Sequence, residues 1–220
     1  MGKLQPTKPL LILLYGMPGS GKTFFARQLA EQLTAAHVQG DRIRDELFES
    51  PTYSKEENHI VSSLMSCMAG EFLHAGISVI FDTNAMRLTQ RRALRNLAIK
   101  SGAQTVLLWI QIDPDSAFKR ASHRDRRKQD DHYAQDMDPG TFRELLGGMQ
   151  NPDLTEHYLV LSGKHVFNTQ KNAVIRYLTE KRLLSMDEST HQFSKPGLVN
   201  LVPNPAAGRV DMTRRNINIQ

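Results

Sequence analysis

The stretch Leu10-Leu-Ile-Leu-Leu-Tyr15-Gly16-Met-Pro18-Gly19-Ser20-Gly21-Lys22-Thr23 decides how the rest of this chain is read. Its first six residues are continuously apolar, the pattern of a strand buried on both faces of a parallel sheet. Its last eight fit G-x-x-x-x-G-K-[ST]. Phe24, Phe25, Leu29, Ala30 and Leu33 then recur at helical spacing, predicting a helix from Lys22 to about Thr34. Strand, glycine loop and helix in that order form a cradle for phosphates. Backbone N–H groups around Gly19, Ser20 and Gly21 can surround the negative charge without side-chain bulk, and the helix N-terminus adds a favourable dipole. Gly16, Pro18, Gly19, Ser20, Gly21, Lys22 and Thr23 are therefore the nucleotide-binding residues. Lys22 is suited to the β- and γ-phosphates and Thr23 to Mg²⁺, with ATP the expected nucleotide.

Outward from the loop, the chain alternates strand and helix, which argues for an α/β fold with a central, mostly parallel sheet between helical layers. Strands are expected at Ala36 to Gln39, Ile77 to Phe81, Thr105 to Ile112 and Tyr158 to Leu161. A second helix has Ile60, Val61, Leu64, Met65, Met68 and Phe72 as its apolar face. Arg87 to Ser101 reads as a basic surface helix that Gly102 stops. Asp113-Pro114 and Asp138-Pro139 each pair a capping residue with a first-turn proline. The first opens a helix carrying the basic segment, and the second a helix across Phe142 to Met149. Thr169 is placed as the cap of a last helix running to about Leu184. Residues 1–184 then form one domain, with a lid at about 119–137. Residues 185–220, punctuated by Pro196, Pro203 and Pro205 and without periodicity, read as a tail or arm.

The net charge of +5 is local. Lys119, Arg120, Arg124, Arg126, Arg127 and Lys128 stand against Asp125 alone, so this one segment equals the whole excess. By composition that is either a solvated helix face or a site for an anion. Cys67 is the only cysteine, which excludes an intrachain disulfide and suits a reducing cytoplasm. No apolar run is long enough to span a membrane, and the run after Lys3 and Lys8 is shorter than a signal core.

Three further features carry chemistry. Asp41 follows the second strand, where a doubly wound sheet puts residues beside the phosphate loop, so it could act as general base. Arg44, one turn later, could hold an anionic substrate. The strand Ile77 to Phe81 ends in Asp82, suited to holding Mg²⁺ with Thr23, and Asn84 could face the acceptor. Arg120 and Arg124 are four apart, so on a helix they share a face, from which they could neutralise charge developing on the transferred phosphoryl group.

Together these residues resemble the small P-loop kinases, a group that includes polynucleotide 5′-kinase domains, gluconate kinases, zeta toxins and antibiotic phosphotransferases. The resemblance covers about Leu10 to Leu178. It rests on the Gly16–Thr23 loop, the Asp41-x-x-Arg44 pair, the strand ending in Asp82 and the Arg120-x-x-x-Arg124 lid. It implies a P-loop NTPase three-layer fold with a helical lid, Asp41 as base, Arg44 as acceptor anchor, and Arg120 and Arg124 as lid arginines. The implied partner is a nucleic-acid 5′-hydroxyl or a small sugar-like or phosphorylated metabolite. A second class stays open, a nucleotide-dependent switch or regulatory module. The absence of an N-K-x-D motif disfavours a GTPase.

Overall fold

The computed structural model describes residues 3–83 and 87–184. Asn84 and the whole of 185–220 lie outside them. Five strands, β1 (Leu10–Tyr15), β2 (Ala35–Gln39), β3 (Ser78–Asp82), β4 (Gln104–Gln111) and β5 (Tyr158–Ser162), form one sheet in the order β2-β3-β1-β4-β5. Every pairing is parallel. β1 is central and all six of its residues are buried, because strand alternation sends Leu10, Ile12 and Leu14 to one face and Leu11, Leu13 and Tyr15 to the other. The first face packs on α1 (Lys22–Gln32) and α7 (Phe167–Glu180) through Phe25, Leu29, Val174 and Leu178. The second packs on α3 (Lys55–His74) and α4 (Leu88–Lys100) through Val61, Met65, Leu73, Leu94 and Ala98. The three-layer α/β architecture is the one expected.

Short α2 (Gly40–Leu47) leaves the end of β2 directly, and α5 (Pro114–Ala121) and α6 (Pro139–Gly147) flank the 122–138 segment. Asp113 and Asp138 do cap α5 and α6, accepting from the Ser116 N–H and from the Gly140 and Thr141 N–H groups respectively. A small separate core of Ile112, Ala117, Ala121 and Phe142 ties α5 to α6.

Four expectations need correction. In α3 the buried stripe is Val61, Met65, Ala69 and Leu73, whereas Ile60 and Leu64 are exposed. Small residues let this helix close on its neighbours: a Cβ on Gly70 would already lie 3.4 Å from Leu97 of α4. α4 is not simply a basic surface helix. Arg91 is 2% exposed and donates to both carboxylate oxygens of Glu156 at 2.7 and 2.8 Å. Thr169 lies inside α7, whose N-cap is Val166 and whose last residue is Glu180. Finally, α5 ends at Ala121, so Arg120 and Arg124 do not share a helix face.

Candidate active site

The phosphate loop sits where β1 stops. Its glycines answer to space as well as conformation. A Cβ on Gly16 (φ +153°) would lie 2.4 Å from the Ile110 carbonyl oxygen, and one on Gly19 (φ +78°) 2.1 Å from that of Ala117. The loop is thus pressed between β4 and α5, with Pro18, Gly19 and Ser20 buried. The Lys22 ammonium donates to the Gly16 and Met17 carbonyls, both at 2.9 Å. Burial lowers its pKa to about 8, although the negative charge of Asp82 works the other way.

Asp82 ends β3 at 5% exposure. The Thr23 hydroxyl donates to its Oδ1 at 3.4 Å, and His37 Nε2 lies 3.0 Å from its Oδ2. His37 went unnoticed in the sequence. It belongs to β2, where it pairs with Ile80 and stands diagonal to Asp82. The Thr23 hydroxyl and the Asp82 carboxylate are hard oxygen donors side by side, and they fit Mg²⁺, which takes one or two protein ligands and completes its shell with water and phosphate. Among the described residues no group of three or more His, Cys, Asp or Glu could hold a metal by itself.

Asp41 lies in the first turn of α2, beside this pair; the register Gln39 to Asp82 brings the ends of β2 and β3 together. Burial raises its pKa, the Asp82 charge raises it further, and Arg44, Arg124 and Lys22 oppose both. Lys22, Asp41, Asp82 and Arg124 therefore act on one another electrostatically, from α1, α2, β3 and the 122–138 segment.

The basic segment divides. Arg124 turns inward: its backbone N–H donates to Asp136 and its Nη1 to Asp131 at 2.9 Å, while its buried Nε has no hydrogen-bond partner among the described residues. Arg120 is exposed and donates to the Gly163 carbonyl, 3.1 Å away, on the β5 side of the loop. Arg127 is 93% exposed and pairs with Asp125. A second contact missed in the sequence ties the 122–138 segment to α1. Arg27, one turn beyond Thr23 on α1, donates to both oxygens of Asp130 at 2.7 and 3.3 Å.

In front of Asp41 opens a cavity of about 350 Å³, walled by α2, the 49–53 loop and the lid. Arg44 lines it, with two of its guanidinium nitrogens engaged and the buried Nε without a hydrogen-bond partner among the described residues. Nη1 donates to Glu57 at 2.9 Å, Nη2 to Asn58 at 2.5 Å, and Cζ lies 4.4 Å from the Tyr53 ring centre. The Thr52 hydroxyl and the backbone N–H groups of Thr52 and Tyr53 also donate to Glu57. The Thr52 hydrogen bonds in particular hold the Glu57 pKa down at about 2.

A family model described as an AAA domain matches residues 11–145. Sulfate adenylyltransferases of Neosartorya fischeri and Aspergillus fumigatus are 29% identical over 110 residues. That match covers 47% of this chain but only 19% of theirs. Among solved structures, a gluconokinase from Sinorhizobium meliloti superposes with a TM-score of 0.57 at 17% identity, covering 79% of this chain and 94% of its own. A putative kinase from Chloroflexus aurantiacus gives 0.59 at 17% over 79% and 98%. The Mycobacterium tuberculosis APS kinase in complex with AMPPNP and APS gives 0.56 at 18% over 79% and 99%. At these identities the structures show the shared fold alone, a three-layer P-loop NTPase architecture.

Proposed function

We propose that this chain, which belongs to the AAA domain family, is a kinase that moves the γ-phosphate of ATP to a hydroxyl group held in the cavity beside Asp41. The observation that carries this reading is that the Lys22 ammonium on the loop carbonyls, the Thr23–Asp82 contact and the cavity lined by Asp41 meet at one phosphate loop.

In this account the loop N–H groups and Lys22 hold the β- and γ-phosphates. Thr23 and Asp82 would hold Mg²⁺, which would supply neutralisation of the phosphate charge. Asp41 accepts the proton of the acceptor hydroxyl as its oxygen forms a bond to the γ-phosphorus. The bond from that phosphorus to the β–γ bridging oxygen breaks, and ADP leaves with the electron pair. The raised pKa of Asp41 suits a proton acceptor, since a base is most effective when its pKa approaches the working pH. Arg124 exchanges Asp131 for the transferring phosphoryl oxygens and stabilises their charge.

Two of the expected roles change. Arg120 reaches the nucleotide from the Gly163 side rather than across the γ-phosphate. Arg44 shapes the acceptor wall and holds the 52–53 loop rather than gripping a substrate anion. Asn84 keeps its assignment to the acceptor side. The exposed, unpaired thiol of Cys67 suits a reducing compartment such as the cytoplasm. No helix among the described residues is long and apolar enough to cross a membrane.

ADP release with and without acceptors tests the kinase reading. Kinase action predicts that a matching acceptor accelerates ADP formation and gains phosphate stoichiometrically. A hydrolysis rate that no acceptor changes, with nucleotide-dependent capture of a partner, would favour the switch instead.

A further inference from the structure

The cavity in front of Asp41 carries a charge pattern that narrows the acceptor. Three carboxylates line it, those of Asp41, Asp45 and Glu49, along with the guanidinium groups of Arg44 and Arg126. The Arg44 charge is matched from behind by Glu57 at 2.9 Å, with both side chains largely buried. Lys22 and Arg124 answer the Asp41 charge in the same way, so within the lining this leaves Arg126 against the carboxylates of Asp45 and Glu49. A ligand anion would meet uncompensated like charge, which costs affinity and serves to exclude wrong partners. Hydroxyl and ammonium groups, in contrast, are donors that carboxylate oxygens accept.

Shape points the same way. A volume of about 350 Å³ is at the small end for ligand sites. Tyr53 offers one ring from the 49–53 loop, and Tyr133 stands on the lid wall, edge-on to His132 with ring centres 4.7 Å apart. Ring faces of this kind cover the apolar side of a small cyclic molecule. A polynucleotide would bring a phosphate with each residue, and this cavity does not offer the basic track that such a chain needs.

We infer that the acceptor is a small cyclic polyol, uncharged or amine-bearing, and that Asp45 and Glu49 are specificity residues that exclude phosphorylated, carboxylated and polynucleotide acceptors. This rests on the kinase reading for the word acceptor, but the binding preference itself does not require transfer.

Binding calorimetry on the whole chain with Mg²⁺ and a non-hydrolysable ATP analogue tests it. The probes are amine-bearing, neutral and anionic members built on hexose, cyclitol and nucleoside frames, with a short 5′-hydroxyl oligonucleotide. On any frame that binds, the amine-bearing and neutral members should bind about tenfold or more tighter than the anionic one. The double variant Asp45→Asn/Glu49→Gln, at two exposed positions, should close most of that gap. Tightest binding by an anionic member or the oligonucleotide would overturn the inference. So would a gap that the double variant leaves unchanged, or no binding by any neutral or amine-bearing member. Binding in the expected order without phosphate transfer would uphold it and sink the kinase reading instead.

Discussion

Lys22 shows at residue scale how the loop suits a phosphate ligand. Its ammonium rests on the Gly16 and Met17 carbonyls, and burial holds its pKa near 8. A bound triphosphate favours the charged form, so the pKa rises on binding and a proton is taken up near and above pH 8. ATP affinity should therefore be flat below about pH 7.5 and fall as pH rises through 8, approaching about tenfold per unit. Calorimetry in buffers of different ionisation enthalpy reads both the loss and the proton uptake. At Asp41 the sign is opposite: the base must be ionised, so kcat/KM should rise with pH through an apparent pKa above the usual carboxylate range. Lys22 was legible because the loop pattern itself requires a lysine there, whereas Asp41 was picked out only by its place after the second strand. His37 was not, since its link to Asp82 depends on the register of β2 against β3.

Elements were legible where local pattern and burial agree. β1 is apolar throughout because both its faces are covered, and Asp113-Pro114 starts α5 by capping that needs no distant partner. Long-range partners decided the failures. Arg91 looks like surface charge until Glu156, 65 residues away, meets it in the interior. Removing the acid would take away the carboxylate that meets the Arg91 guanidinium in the interior, so Glu156→Ala should cost about 3–5 kcal/mol of unfolding free energy in denaturant titration. α5 stops at Ala121, where the Ser122 N–H closes on the Phe118 carbonyl. The spacing of Arg120 and Arg124 then ceases to be helical, and only Arg124 faces the Lys22 group. The latch between α1 and the lid is a further consequence. Arg27→Ala should weaken nucleotide binding several-fold, because the lid then costs more to order over the phosphates. Because this pair is partly exposed, the loss should leave unfolding stability within about 1 kcal/mol of the parent.

Across the whole molecule the sheet order places the ends of β1, β2 and β3 side by side, which is why residues far apart in sequence surround one loop. The loop is also wedged. Gly19→Ala would drive a Cβ to 2.1 Å from the Ala117 carbonyl oxygen and demand a positive φ. It should abolish ATP binding in a fluorescent-nucleotide titration even where the chain stays folded. The measurement closest to the central claim follows the label from γ-³²P-ATP into an acceptor, for the parent chain and for Asp41→Asn, with nucleotide affinity determined in parallel. The account predicts ATP binding within a few-fold of the parent and transfer slowed by about 10²-fold or more. Transfer at the parental rate by Asp41→Asn would contradict it.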